Sequence, residues 1–167
     1  DGNTGFTAAP HLYCFQEVAT EDANEFVTLL AQAHPGITYV RATYTTSGTE
    51  NGSGGAIALF YRADTFDEIP ADHTDIPTGA GRNTDRWHLA LDDWPATIWV
   101  YGSHLRASNN PTSAAERFAG AIAIRNDADA LPAGANVVYL GDYNVYSNAE
   151  DAYQEMVSGG PGRAVDP

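Results

Sequence analysis

The stretch Asn136-Val137-Val138-Tyr139-Leu140-Gly141-Asp142-Tyr143-Asn144 is an apolar run, rich in β-branched and aromatic residues, that stops at a glycine and delivers a carboxylate and a carboxamide two positions apart. A run of this length bounded by a turn signal predicts a buried strand. If the extended conformation continues past Gly141, the period of two puts Asp142 and Asn144 on one side. The pair suits phosphoester chemistry. An ionised Asp accepts a proton from water or holds a divalent cation, and Asn donates N–H to a phosphate oxygen. The alternative is an Asx turn that merely closes the strand.

Outward from this stretch, two other apolar runs end in polar chemistry. Residues 11–18, His11-Leu12-Tyr13-Cys14-Phe15-Gln16-Glu17-Val18, read as a buried strand with Glu17 at its C-terminal end. Residues 86–91 and 97–102 read as antiparallel strands joined by Asp92-Asp93-Trp94-Pro95-Ala96, the second running into Ser103-His104-Leu105-Arg106. Residues 55–62 predict a further strand, and 37–44 a strand-like segment. Thr20 is placed to cap a helix over 21–34, stopped by Pro35-Gly36. Thr112 or Ser113 is placed to cap another that runs to about 130, with Phe118, Ile122 and Ile124 among its apolar contacts. A short helix over 149–157 precedes a glycine-rich exit at 158–162 expected to be flexible. Residues 45–54 predict a loop or hairpin turn, and 63–85 a polar surface excursion at a substrate rim. Strand ends carrying Glu17, His104 and the Asp142/Asn144 pair tend to converge on one crevice in α/β sheets.

Composition bounds the partners. The chain has 167 residues, 43% of them hydrophobic, which allows one sizeable core and a single domain over 1–167. Eight arginines and no lysine oppose 22 acids, giving a formal charge of −14. Such a surface repels polyanions, so charge points away from a long nucleic acid and leaves room for a small phosphoester. The lysine-free acidic composition suits an extracellular or periplasmic setting, and no signal peptide is seen, so an exported protein would be in processed form. Cys14, the only cysteine, reads as a small core hydrophobe. No run approaches the roughly 18 apolar residues of a membrane span.

Four motifs, Phe15-Gln16-Glu17-Val18, Gly55 to Arg62, Ser103-His104-Leu105 and Gly141-Asp142-Tyr143-Asn144, occur in the order and with roughly the spacing seen in the endonuclease/exonuclease/phosphatase superfamily, which this chain resembles. The resemblance implies the deoxyribonuclease-I-like fold, an α/β/β/α four-layer sandwich with mixed sheets. It implies hydrolysis of a phosphoester, nucleic acid or small phosphodiester, with Mg²⁺ (or Mn²⁺ or Ca²⁺). By position, Glu17 resembles the family's metal-binding glutamate, with Asp142 as a second metal-side carboxylate. His104 resembles the histidine that bonds the scissile phosphate, and Asp142 with Asn144 the pair that orients nucleophile and phosphate. Arg86 is a weaker match to a phosphate-contacting arginine.

The chain departs from the family pattern at both ends. It lacks an opening strand ending in asparagine and a closing Asp-His pair; its histidines are His11, His34, His73, His88 and His104. Glycine stands at position 55, where some members carry an acid that orients the histidine. The 167 residues are therefore expected to be the central part of such a domain, a fragment or an incomplete form, with little activity alone and an enzyme in the full-length protein. The competing expectation is a non-catalytic extracellular binding or structural domain that retains the fold.

Overall fold

The computed structural model of the chain describes residues 9–18, 22–44, 57–79 and 82–165. Its elements are β1 (Leu12–Gln16), α1 (Glu25–Ala33), β2 (Tyr39–Arg41), β3 (Ile57–Arg62), β4 (Phe66–Glu68), β5 (Thr74–Pro77), β6 (Asn83–Leu91), β7 (Thr97–His104), α2 (Pro111–Asp129), β8 (Asn136–Asp142) and α3 (Asp151–Val157). They form two sheets. One has the order β1-β3-β2, all antiparallel, and the other β4-β6-β7-β8 with β5 also on β6. Within the second sheet β7 and β8 run parallel, which requires a crossover, and α2 supplies it.

Alternation along the strands builds the layers. In β3, Ile57, Leu59 and Tyr61 face the other sheet, where they meet Trp87, Leu89 and Val100 in the inter-sheet core. The intervening Ala58 and Phe60 face α1, packing with Leu30, Phe26 and Val27. In β7, Val100 belongs to the inter-sheet core while Trp99 and Tyr101 turn the other way, against Ala121, Ile124 and Ala128 of α2 and Met156 of α3. The result is the α/β/β/α sandwich. Full burial of a side chain such as Leu89 or Val100 stabilises by about 1.5–3 kcal/mol.

Between the sheets, Gly102 leaves the space that Trp87 fills; a Cβ there would lie 2.8 Å from the Trp87 ring and 2.9 Å from Ile57. The Trp87 indole N–H is satisfied by the Thr43 carbonyl at 2.7 Å. Cys14 is half-buried among these side chains, and burial pushes its thiol up to about 12.

Several expectations need correction. The segment 63–85 is not an irregular excursion: it contains β4, a 3₁₀ turn at Pro70–Asp72, β5 and the start of β6, and it buries Ile76, Thr84 and Asp85. Its polar strand residues hid the pattern because β5 is an edge strand whose one carboxylate, Asp75, faces Asp85 of β6. The cap of α2 is Asn110, whose side chain accepts from the Ser113 N–H at 2.9 Å, with Pro111 in the first turn, rather than Thr112 or Ser113. Ile122 stays exposed, and the buried face of α2 instead carries Arg117 and Arg125.

Arg117 donates to Glu150 at 2.5 Å and to the carbonyls of Arg106 and Ser108, tying α2 to the loop that follows β7. Arg125 binds the carbonyls of Glu155, Met156 and Ser158, so the glycine-rich exit docks on α2 instead of trailing away; Gly162 is buried and donates to Asp129. The first helix begins with a 3₁₀ turn at Asp22–Asn24, and the last spans Asp151–Val157. Thr20, Gly55 and residues 45–54 lie outside the described residues.

Gly141 adopts φ 121°, and a Cβ there would sit 1.9 Å from the Ser103 carbonyl oxygen, on the backbone of β7. The parallel strands approach that closely only without a side chain. Gly141→Ala should destabilise the fold by about 3 kcal/mol or more, measured as a fall in the urea midpoint. An unchanged midpoint would contradict this approach of β7 to β8.

Candidate functional site

The register of β7 with β8 places His104 directly opposite Asp142, and the ladder continues one step further as the Leu105 N–H donates to the Asp142 carbonyl at 2.9 Å. The strand ends there. Asn144 does not reach the site by continued alternation: it has φ 50°, and its N–H donates to Asp142 Oδ1 at 2.8 Å. The Asx turn and the convergence of the pair thus coexist, because the turn fixes the carboxylate and swings the carboxamide to the same side. Asn144 Nδ2 donates to the Leu105 carbonyl at 3.0 Å, which leaves its second N–H for a ligand.

From the other sheet, Gln16 pairs with Ile57 and Glu17 follows at φ 59°. Left-handed backbone is uncommon for Glu and costs about 1–3 kcal/mol. It lets Val18 turn back into the cluster beneath α1 while the Glu17 carboxylate, 60% exposed, stands at the sheet edge. Gln16, Glu17, His104, Ala107, Asp142 and Asn144 border one open cavity of about 380 Å³. A larger cavity of about 560 Å³, between β8 and α3, is lined mainly by apolar side chains such as Val137, Tyr143 and Met156 and holds no carboxylate or imidazole.

Arg86 is not part of this constellation. It pairs with Tyr101 in the β6–β7 register, on the face toward α2, and its guanidinium donates to Asp127 at 2.8 Å, to Thr74 and to the Asp72 carbonyl, over the Trp99 ring. Four residues earlier, ahead of β6, Arg82 reaches the site: its Nη2 lies 3.5 Å from Glu17 Oε1. The sequence signal was an arginine at the head of the β6 strand, and the strand begins at Asn83, earlier than the hydrophobic pattern indicates.

His104 is 6% exposed. Its Nε2 lies 3.9 Å from Glu17 Oε1, and its buried Nδ1 has no hydrogen-bond partner among the described residues. Burial first, then the Arg82 charge, lowers its pKa below the usual 6.5, while Glu17 and Asp142 pull it back up. The imidazole is therefore neutral at neutral pH, a donor through one nitrogen only, and the fixed positive charge at the cavity comes from Arg82.

Because the folded His104 holds its proton less tightly than the unfolded chain, unfolding takes up a proton once the pH falls below 6.5, and stability drops in that window. The acid limb of the stability profile below about pH 6.5 should be shallower in His104→Gln. By NMR titration the His104 pKa should rise in Arg82→Gln and fall further in Glu17→Gln; movement in the opposite directions would refute the electrostatic account.

No family model matches the sequence, and no curated protein matches it. Solved structures do. The chain superposes on an endonuclease/exonuclease/phosphatase family protein from Bacteroides thetaiotaomicron with a TM-score of 0.61 and 19% identity, over 89% of this chain and 53% of that one. The human Nocturnin catalytic domain with a bound sulfate anion gives 0.66 and 19%, over 89% and 56%. TDP2 from D. rerio, complexed with a single-strand DNA product, gives 0.60 and 15%, over 83% and 50%. The chain thus has the fold of the endonuclease/exonuclease/phosphatase proteins, and it spans about half the length of the structures it matches.

Proposed function

We propose that this protein is a metal-dependent phosphoester hydrolase acting on a small phosphodiester at the cavity bordered by Glu17, His104, Asp142 and Asn144. The observation that carries the reading is the meeting of three strand ends, from both sheets, on one polar cavity. The fold is shared with a family named for phosphoester cleavage and with a protein complexed to a DNA product. The formal charge of −14 favours a small ester over a long polyanion.

The donor set fits a hard divalent cation such as Mg²⁺. Glu17 and Asp142 offer exposed carboxylate oxygens at an open cavity, which suits an ion that keeps several waters and takes oxygens from its substrate. Glu17 would hold it, with Asp142 on the same side; when bound, the ion supplies Lewis-acid neutralisation of charge on the phosphoryl oxygens. The chain's own groups do the rest. His104, neutral and buried, donates one hydrogen bond to a non-bridging oxygen, and Arg82 adds positive charge beside it. Asn144 donates its free N–H to the phosphate. Asp142, its Oδ1 fixed by the Asn144 N–H, accepts the proton of the attacking water. The acidic, lysine-free composition supports an exported protein.

In the complete gene product, assayed with Mg²⁺ on a generic phosphodiester and a matched monoester, Asp142→Asn should lower kcat/KM by about 10²-fold or more. His104→Ala and Arg82→Gln should lower it by at least about tenfold, without loss of fold by circular dichroism. If the product hydrolyses neither ester in the presence of a divalent cation, the site is one of binding and not of catalysis.

A further inference from the structure

A second polar cluster lies away from the cavity, on the inter-sheet face of the β5–β6 hairpin. Asp75 and Asp85 are direct partners in the antiparallel register, and His73 stands two residues before Asp75, its ring 6.0 Å from Trp87. His73 Nε2 lies 3.6 Å from Asp75 Oδ1 and 3.4 Å from Asp85 Oδ1, and one ligand atom from each of the three residues falls within 4.8 Å of the others. The side chains of His73 and Asp85 are only 9% and 3% exposed. Even so, His73 Nε2 and Asp85 Oδ2 have no hydrogen-bond partner among the described residues. Buried polar atoms are normally satisfied, so orphaned atoms aimed into one small volume mark a missing partner.

We propose that His73, Asp75 and Asp85 form a site for a divalent first-row transition cation, Zn²⁺ by preference, separate from the Glu17 cavity. The separations fit. Zn–N and Zn–O bonds of about 2.0–2.2 Å in a tetrahedron put neighbouring ligand atoms about 3.3–3.5 Å apart, close to the distances seen here. The ligand types fit as well: an imidazole nitrogen disfavours Mg²⁺ and Ca²⁺, which take oxygen, and suits zinc and its neighbours. Two carboxylates balance the charge of a divalent ion in a buried place, and the three protein ligands leave a fourth position for water.

The cation joins β5, an edge strand, to β6 and to the residues ahead of it. Asp85 pairs with Gly102, two residues before His104 on β7. An ion there fastens the hairpin at the strand end that carries His104.

The competing occupant is a proton. Two facing carboxylates can share one, and burial together with Asp75 already pushes the Asp85 carboxyl well above the usual range. Metal titration separates the two. Chelator-stripped Glu17→Gln chain, which lacks one of the two carboxylates of the other cavity, should bind Zn²⁺ one-to-one by calorimetry. The double variant Glu17→Gln/Asp85→Asn should bind at least tenfold more weakly. Co²⁺ should give visible absorption bands of a four-coordinate site in the first protein and not in the second. If Asp85→Asn fails to fold by circular dichroism, Glu17→Gln/His73→Gln takes its place, with the same loss expected. Equal Zn²⁺ affinity with and without the cluster's ligands would overturn the proposal. So would an absence of Zn²⁺ binding by the Glu17→Gln chain; a rise in melting temperature of Asp85→Asn without metal would then assign the cluster to the shared proton.

Discussion

The parallel register between β7 and β8 sets His104 against Asp142, and the close approach it needs exists only because Gly141 carries no side chain over the Ser103 carbonyl. Parallel neighbours cannot be joined by a hairpin, so the chain must leave the sheet, cross as a helix and return. The crossover helix α2 does so with two buried arginines on its inner face. A buried arginine is tolerated only when nearly all its donors are satisfied. Arg117 meets much of that need on the carbonyls of Arg106 and Ser108 and on Glu150, its Nη2 having no partner among the described residues, and Arg125 on the carbonyls after α3 and on Asp129, with its Nε unmatched among them. Removing Arg117 would therefore loosen the loop just past His104, not merely the helix, and leave the Glu150 carboxylate without the partner that holds its pKa low.

The cavity is electrostatically unusual for so acidic a chain. Its imidazole is kept neutral by burial and by Arg82, its two carboxylates lie exposed at the rim, and its backbone is left-handed at both Glu17 and Asn144. Asn accepts that conformation readily, Glu does not. Strain at a glutamate whose carboxylate faces a polar cavity is the pattern expected where geometry serves a ligand and the fold absorbs the cost.

Much of this was legible in the sequence. The long apolar runs gave β1, β3, β7 and β8, the strands of the two central layers; β3 and β7 are largely buried as such runs lead one to expect, while β1 and β8 are half-buried strands at the edges of their sheets. Glu17, His104, Asp142 and Asn144 were found because each stands where such a run stops. What escaped was what local pattern does not encode. Polar β5 and the first residues of β6 looked like loop, since inward-facing Asp75 and Asp85 break the alternation a strand is recognised by. Arg86 was named and Arg82 was not considered, because the start of β6 was placed too late, and a strand's two faces are told apart only once its pairing is known: Arg86 sits opposite Tyr101, toward α2. The buried arginines of α2 were missed because an arginine on a helix reads as solvated until the carbonyls that meet it are brought up by the fold.

The central claim is that the strand ends build a phosphate-binding cavity. Crystals of the chain soaked with Mn²⁺ and inorganic phosphate test it directly, because the anomalous signal locates the ion without assumption. The account predicts manganese at the Glu17 carboxylate and a phosphate within hydrogen-bond distance of His104 and Asn144. Phosphate absent from that cavity, with manganese elsewhere or nowhere on the chain, would contradict it.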